Sequence, residues 1–203
     1  MSVIVIDYWM WNLQSVKNAV EACWFECNIS NDDRSIDIAD KLILPWVGAF
    51  GDGMMNIKEL RLYDLIRKKA LQDKIPILGI CLWMQLLWTV GYELWVNQWL
   101  DLIEWEIQKF IPLHSEKIPH VGWNNVSVQE GHPLFEGIQN NSDFYFVHSY
   151  YFSLKNTSYE IWNTDYIWNF PSIINKENIF WVQFHPEKSG KNGHKLLHNF
   201  LKI

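Results

Sequence analysis

The chain has 203 residues, with 17 Lys or Arg against 23 Asp or Glu and a formal net charge of −6. This length suits one domain spanning residues 1–203 with a substantial buried core. The acidic balance argues against a nucleic-acid partner, and no apolar run approaches the roughly 20 residues of a membrane span. The chain enters an apolar run directly after Met1, without a signal peptide, and its three cysteines form no disulfide framework. We therefore expect a cytoplasmic protein.

The first half of the chain alternates apolar runs with segments of helical periodicity. Strands are predicted over Val3–Ile6, Phe25–Ile29, Lys41–Leu44 and Ile75–Ile80, and helices over Leu13–Ala22, Met54–Leu60, Leu62–Leu71 and Leu82–Thr89. Such alternation predicts right-handed βαβ units around a central, mostly parallel, twisted sheet.

The second half is richer in strand patterns and is predicted to form a mixed or antiparallel extension of that sheet. The strands are expected over Asn125–Val128, Phe144–Phe152, Tyr159–Asn163, Ile167–Ile174 and Ile179–Phe184, before a closing helix over Lys191–Leu201. The predicted fold class is therefore α/β, as a single domain with flanking helices.

Two short motifs carry the chemistry. An apolar run ends at Gly79-Ile80-Cys81 and is followed at once by helix-forming residues, a pattern that raises a nucleophile above a sheet edge on a sharp turn. A late strand ends at His185, with Glu187 two residues on. The imidazole could take the thiol proton while the carboxylate orients the ring. A cysteine in an apolar run is by itself usually a small core residue, so the prediction of a Cys-His-Glu hydrolase depends on both motifs.

These motifs resemble those of a known family. The chain resembles the class I (triad) glutamine amidotransferases, which have a flavodoxin-like sheet, in the segments Leu44-Pro45-Trp46-Val47-Gly48, Gly79-Ile80-Cys81-Leu82 and Phe184-His185-Pro186-Glu187. It is similar to the HisH-type glutaminase subunits of imidazole glycerol phosphate synthase in the segments Ile6-Asp7-Tyr8, Pro119-His120-Val121-Gly122-Trp123-Asn124 and Phe144-Tyr145-Phe146-Val147-His148-Ser149-Tyr150. The similarity runs essentially from end to end.

The resemblance implies an activity and a partner. Such a subunit hydrolyses L-glutamine to glutamate and ammonia without a cofactor. The ammonia is channelled to a TIM-barrel cyclase (HisF-type) subunit of the heterodimer, which forms imidazole glycerol phosphate and an aminoimidazole carboxamide ribotide.

The resemblance also implies roles for individual residues. The implied catalytic residues are Cys81, His185 and Glu187, and the oxyanion and substrate-binding residues are Val47, Gly48, Leu82, Gln85, Glu93, Ser149 and Tyr150. The cyclase would be met by Asn12, Pro119, Trp123 and Lys176, although a tryptophan at position 123 would be equally common in a core.

The chain departs from the family pattern in its tryptophans, of which it has 13 against 10 glycines. Tryptophan stands where the family pattern has glycine at positions 9, 11, 46, 83 and 181, and we expect the same at 24, 95, 99, 105 and 168. Glycine is used where the backbone has a positive φ or where two backbones approach closely. A large side chain forced into such a tight site lowers the stability of the fold by about 1–3 kcal/mol. We therefore expect an intact triad with impaired activity.

Three other interpretations are open. The ammonia could serve sugar amidation in surface-polysaccharide synthesis, or the chain could be a catalytically impaired subunit that only docks to a barrel. A metal site built from Cys81, His185 and Glu187 is the weakest, because the spacings lack the character of a metal motif. No metal or cofactor is expected.

Overall fold

The computed structural model of the chain describes residues 1–9, 12–46, 50–81, 100, 102, 106–128, 131–153 and 159–203. Its strands are β1 (Val3–Ile6), β2 (Cys27–Ser30), β3 (Lys41–Trp46), β4 (Ile77–Cys81), β5 (Glu106–Lys109), β6 (His120–Val126), β7 (Ser142–His148), β8 (Tyr150–Ser153), β9 (Glu160–Tyr166), β10 (Trp168–Lys176) and β11 (Ile179–Val182). Its α-helices are α1 (Leu13–Glu21), α2 (Asp33–Asp37), α3 (Phe50–Glu59), α4 (Leu62–Leu71) and α5 (Gly190–Lys202). Within these described residues, no helix is long and apolar enough to cross a membrane.

The main sheet has the strand order β2-β1-β3-β4-β11-β10-β9 within the described residues. The first five of these strands run parallel, and β10 and β9 continue the sheet in antiparallel orientation. Strands β1, β4 and β11 are buried at every residue, because helices cover both faces of the sheet. This confirms the predicted α/β fold class with a mostly parallel central sheet.

A hydrophobic core lies on each face of the sheet. One core contains residues of α1 and α5, among them Val16, Val20 and Phe200. The other contains Ile36 of α2, Ile57 of α3 and Ile66 of α4. These layers hold β4 and β11 side by side at the centre, so that their carboxyl ends meet at one edge, where α/β proteins place their ligands.

The second half differs from the prediction in its strand pairing. Strands β6 and β7 form a separate two-stranded sheet, and so do β5 and β8. The strand predicted over Phe144–Phe152 is interrupted at Ser149, where the chain leaves β7 and begins β8. Local apolar patterning continues through this bend, which is why the sequence did not reveal it. The helix expected over Leu82–Thr89 lies outside the described residues.

Two of the tryptophans that the structure describes occupy left-handed backbone conformations. Trp9 has φ of 63° and Trp24 has φ of 67°. Trp24 follows α1, donates its backbone N–H to the Glu21 carbonyl over 2.9 Å, and is 95% exposed. Glycine is the usual residue at such a helix end, so the backbone at these positions has the geometry that favours glycine.

Replacing Trp24 by glycine is expected to raise the free energy of unfolding by about 0.5–1 kcal/mol. A side chain in the left-handed region costs about 1–2 kcal/mol, and the larger entropy of an unfolded glycine offsets part of the gain. Chemical denaturation measures the change. Trp24→Ala is the matched control, because alanine removes the exposed indole but keeps the left-handed cost. Equal stabilisation by both substitutions would contradict this explanation.

Candidate active site

Cys81 stands at the carboxyl end of the central strand β4. It is buried, at 5% exposure, and its backbone is left-handed with φ of 59°. Its Sγ lies 3.8 Å from the Val147 carbonyl oxygen and 3.8 Å from Gln183 Nε2. The thiol therefore faces the end of β7 and the residues that follow β11.

His185 follows β11 at the same edge of the sheet. It is buried, and its backbone N–H donates to the Tyr145 carbonyl of β7 over 2.9 Å. Its Nδ1 lies 2.8 Å from Glu187 Oε1, and the Glu187 side chain is fully buried. His185 Nε2 is also buried and makes no hydrogen bond to any described residue. With Nδ1 engaged by the carboxylate, Nε2 is the ring nitrogen left for proton transfer.

The charge state of His185 is set by its neighbours. Burial lowers its pKa, but the Cys81 thiolate and, after it, the Glu187 carboxylate raise it, and the pKa reaches about 10. An imidazole with this pKa is protonated at neutral pH. The site therefore holds an imidazolium beside Cys81, and a neighbouring positive charge is what activates cysteine nucleophiles.

Asn12 contacts the carboxylate. Its Nδ2 donates to Glu187 Oε1 over 2.5 Å, so this one oxygen accepts from both Asn12 and His185. Asn12 precedes α1 with φ of 77° and makes no side-chain capping bond. The resemblance had assigned Asn12 to the cyclase interface. In the structure its amide lies beside the Glu187 carboxylate, and the interface assignment stays a prediction.

Asn12→Gly is expected to lower turnover of glutamine, the substrate that the resemblance implies, by about tenfold. The amide makes a hydrogen bond to a charged group, and such bonds contribute about 1.5–3 kcal/mol. Glycine accepts the left-handed backbone, so the substitution removes the side chain with little backbone cost. Asn141→Gly is the matched control, since Asn141 is also left-handed, with φ of 60°, and lies in the β6–β7 turn. The measurement is steady-state glutamate release, and equal loss in both variants would contradict the role of the amide.

Gln183 is a site residue that sequence reasoning missed. Its side chain is fully buried, Nε2 faces the thiol, and Oε1 has no hydrogen-bond partner among the described residues. No local pattern marked it, because residues 183 and 184 form a bend after β11 instead of continuing the strand. Gln183 and His185 are both placed beside Cys81, since Gln183 Nε2 lies 3.8 Å from its Sγ and Cys81 raises the pKa of His185.

The predicted substrate-binding residues divide into two groups. Ser149 and Tyr150 form the half-buried bend that leads from β7 into β8, two and three residues after Val147, whose carbonyl faces the thiol. The others, Val47, Gly48, Leu82, Gln85 and Glu93, lie outside the described residues.

The remaining predicted interface residues lie at different places. Pro119 is exposed just before β6, and Trp123 is 57% exposed on that strand, which contradicts the alternative of a core tryptophan. Lys176 pairs in register with Ile179, at the amino end of β11. It therefore lies at the edge of the sheet opposite Cys81, where its Nζ donates to the Leu102 carbonyl over 2.7 Å.

Trp181 shows how one tryptophan at an expected glycine position is accommodated. It is fully buried, packs edge-on against Phe152, and donates its indole N–H to the Cys81 carbonyl over 2.9 Å. Its register partner in β4 is Gly79, which has no side chain to compete for space. The polar indole atom is thus satisfied inside the core.

Comparison with known proteins agrees with this geometry. The family model of the class-I glutamine amidotransferases matches residues 4–203. The chain is 44% identical to imidazole glycerol phosphate synthase subunit HisH 1 of Methanococcus maripaludis, with 99% of each chain covered. It is 45% identical to the HisH subunit of Aquifex aeolicus, covering 98% of this chain and 96% of the relative. A solved glutamine amidotransferase superposes with a TM-score of 0.72 at 15% identity, covering 98% of this chain and 97% of that structure, which shows the shared fold. The chain belongs to the class I glutamine amidotransferase family.

Proposed function

We propose that this chain is the glutaminase subunit of an imidazole glycerol phosphate synthase and works in histidine biosynthesis. The single observation that carries the chemistry is the buried contact of His185 Nδ1 with Glu187 Oε1 at the sheet edge where Cys81 ends β4. The pathway rests on full-length relatives at 44–45% identity that are named as HisH subunits of that synthase.

The proposed reaction begins with attack by Cys81 Sγ on the side-chain carboxamide carbon of L-glutamine. The oxyanion would be held by backbone amides of Val47, Gly48 and Leu82, each worth about 10²–10³ in rate. His185 Nε2 gives its proton to the amide nitrogen as the C–N bond breaks, so that ammonia leaves and the glutamyl carbonyl stays on Cys81 as a thioester. His185 then removes a proton from water, which cleaves the thioester to glutamate and restores the thiolate.

The proposed partner is a TIM-barrel cyclase that takes the ammonia. Val121 and Trp123 lie two residues apart on β6, so their side chains share one face of the strand, and they are 56% and 57% exposed. Trp123 pairs in register with Tyr145, whose carbonyl accepts from the His185 backbone. An exposed tryptophan beside an apolar neighbour is a typical interface anchor, and here it lies next to the active-site edge.

We also propose that tryptophans at positions where the family pattern has glycine lower the rate of glutamine turnover. Trp46 is the register partner of Cys81 across the β3–β4 pair, and Trp83 follows the nucleophile by two residues. We expect indoles at these positions to restrict the turn after the nucleophile and the loop after β3, whose backbone amides would hold the oxyanion. Trp46→Gly and Trp83→Gly are each expected to raise turnover several-fold. Unchanged turnover in both variants would remove this part of the proposal.

The decisive experiment measures glutamate release by this chain, alone and with a cyclase subunit and its nucleotide substrate. The proposal predicts glutaminase activity that rises when the loaded cyclase is added, and covalent labelling of Cys81 by a glutamine-analogue electrophile. Glutamine hydrolysis without any response to the cyclase would favour an ammonia donor for another pathway, such as sugar amidation. Co-purification with the cyclase but no labelling of Cys81 would favour a docking subunit without activity.

A further inference from the structure

We propose that a buried pair of histidines, His120 and His148, positions the Ser149–Tyr150 bend beside the thiol through a chain of hydrogen bonds with one fixed direction. This inference rests on the proposed function, because Ser149 and Tyr150 are the residues assigned there to the substrate. His120 and His148 would be positioning residues, since they act through the bend.

The pair lies between the two strands of one small sheet. His120 of β6 and His148 of β7 are partners in register, and His120 Nδ1 lies 3.0 Å from His148 Nε2. His148 Nδ1 lies 2.8 Å from the Tyr150 carbonyl oxygen. At the other end, Asn124 Nδ2 lies 3.3 Å from His120 Nε2. Four groups are thus linked in one row.

The direction of every bond follows from the ends of the row. A carbonyl oxygen only accepts, so His148 Nδ1 carries a proton and donates to Tyr150. Neutral His148 then accepts at Nε2, which requires that His120 donates from Nδ1. His120 in turn accepts at Nε2 from the Asn124 amide.

The orientation of the Asn124 amide is fixed by two further bonds. Its Oδ1 accepts from the Asn125 backbone N–H over 2.8 Å, and its Nδ2 also donates to the Asp165 carbonyl over 2.9 Å. The amide nitrogen therefore faces His120, and both rings carry their single proton on Nδ1.

The surroundings keep both rings neutral. His120 is buried and stacks on Tyr166 with ring centroids 3.8 Å apart, and burial lowers its pKa to about 4. Burial lowers the pKa of His148 to about 3; the bond to the Tyr150 carbonyl opposes this, and repulsion from the protonated forms of His120 and His185 adds to it. A neutral ring can both donate and accept, so the row stays intact throughout the physiological pH range.

The row ends where the substrate would sit. The carbonyl of Val147, one residue before His148, faces Cys81 Sγ at 3.8 Å. The bend is held from both sides, because the Ser149 carbonyl accepts from the Phe110 backbone N–H over 3.0 Å while the Tyr150 carbonyl accepts from His148. Displacement of a positioning segment by about 1 Å can cost 10²-fold in rate.

The first test separates substrate binding from thiol reactivity. His148→Phe keeps a ring against Phe170 and removes both ring nitrogens. Saturable inactivation by a glutamine-analogue electrophile is expected to show a half-saturating concentration raised about tenfold, with the limiting rate within threefold. Alkylation of Cys81 by iodoacetamide, which has no amino-acid groups to bind, is expected to stay within twofold. His148→Asn should restore most of the binding, because its Nδ2 can donate to the Tyr150 carbonyl.

His198→Phe is the matched control, since His198 is a half-buried histidine on α5. Unchanged half-saturation in His148→Phe would overturn the proposal. Equal losses in half-saturation, limiting rate and alkylation would also overturn it, because they would indicate general damage to the fold.

The second test uses the unaltered chain and does not depend on activity. The measurement is a two-bond proton–nitrogen spectrum of protein labelled at its seven histidines. The rings of His120 and His148 are expected to carry their proton on Nδ1, and their signals should not change between about pH 5.5 and 8. A proton on Nε2 of either ring, or titration of either ring in this range, would overturn the proposal. If the spectra agree but the chain neither hydrolyses glutamine nor reacts with the analogue, the proposed function fails and the histidine row stands.

Discussion

Cys81→Ala is expected to reduce glutamine hydrolysis by about 10⁴–10⁶-fold, because no other group can replace the attacking sulfur. The thiol is buried at the carboxyl end of β4, where Gln183 and the His185 imidazolium face it. Alanine has nearly the same volume and meets the same left-handed backbone condition, so the fold should persist. Glutamate release by the chain in complex with a cyclase measures the loss, and thermal unfolding checks the fold.

Cys23→Ala is the matched control for this substitution. Cys23 is also a buried free cysteine, at 6% exposure, and its Sγ contacts the His194 carbonyl of α5 at 3.3 Å. Removing that thiol should leave turnover within about twofold. If Cys81→Ala kept more than a few per cent of the activity, another residue would have to be the nucleophile.

Glu187→Gln is expected to lower turnover by about 10²–10⁴-fold while the site keeps its shape. Loss of the orienting carboxylate in a comparable triad costs about 10⁴. The carboxylate accepts from His185 Nδ1 and Asn12 Nδ2 and supports the protonated imidazole. The oxygen of a neutral amide can still accept both bonds but supplies no negative charge.

The same variant should change the pH dependence in a defined direction. The imidazolium of His185 persists below a pKa of about 10, so loss of the Glu187 charge lowers that pKa. The rate of Cys81 alkylation is expected to fall at alkaline pH as His185 loses its proton, and this alkaline limb of the pH profile should move to lower pH by at least about one unit. The raised pKa also stabilises the folded state fully below about pH 6.5 and loses this effect as pH rises through about 10.

Glu177→Gln is the control for the loss of a carboxylate. Glu177 is exposed and pairs with Lys74 at 2.9 Å, at the edge of the sheet opposite Cys81. Its replacement should leave both turnover and the alkaline limb unchanged. An unshifted limb in Glu187→Gln would contradict the assigned origin of the His185 charge.

Local patterning predicted those parts of the fold that are determined locally. The runs Val3–Ile6 and Leu62–Leu71 have the same bounds in the sequence and in the structure, because one is apolar throughout and the other follows helical periodicity. The edge shared by Cys81 and His185 also followed from the sequence, since both residues end buried strands. The short strand β5 and helix α2 carried no such pattern and were missed.

Contacts between distant residues could not be predicted in this way. The partnership of His120 with His148 depends on the register of β6 with β7, which no local pattern specifies. The contact of Asn12 with Glu187 joins a helix start to a turn 175 residues later. The site in the structure therefore contains residues, such as Asn12, that the Cys-His-Glu motif alone did not predict.

The left-handed backbone at Cys81 lowers the stability of the folded chain at the residue that serves as nucleophile. With φ of 59° the nucleophile occupies a conformation that costs a side chain about 1 kcal/mol or more and costs glycine almost nothing. A screen for heat tolerance alone does not select for the sulfur, because any residue that this backbone accepts could stand at position 81. Engineering for robustness therefore needs a simultaneous screen for turnover.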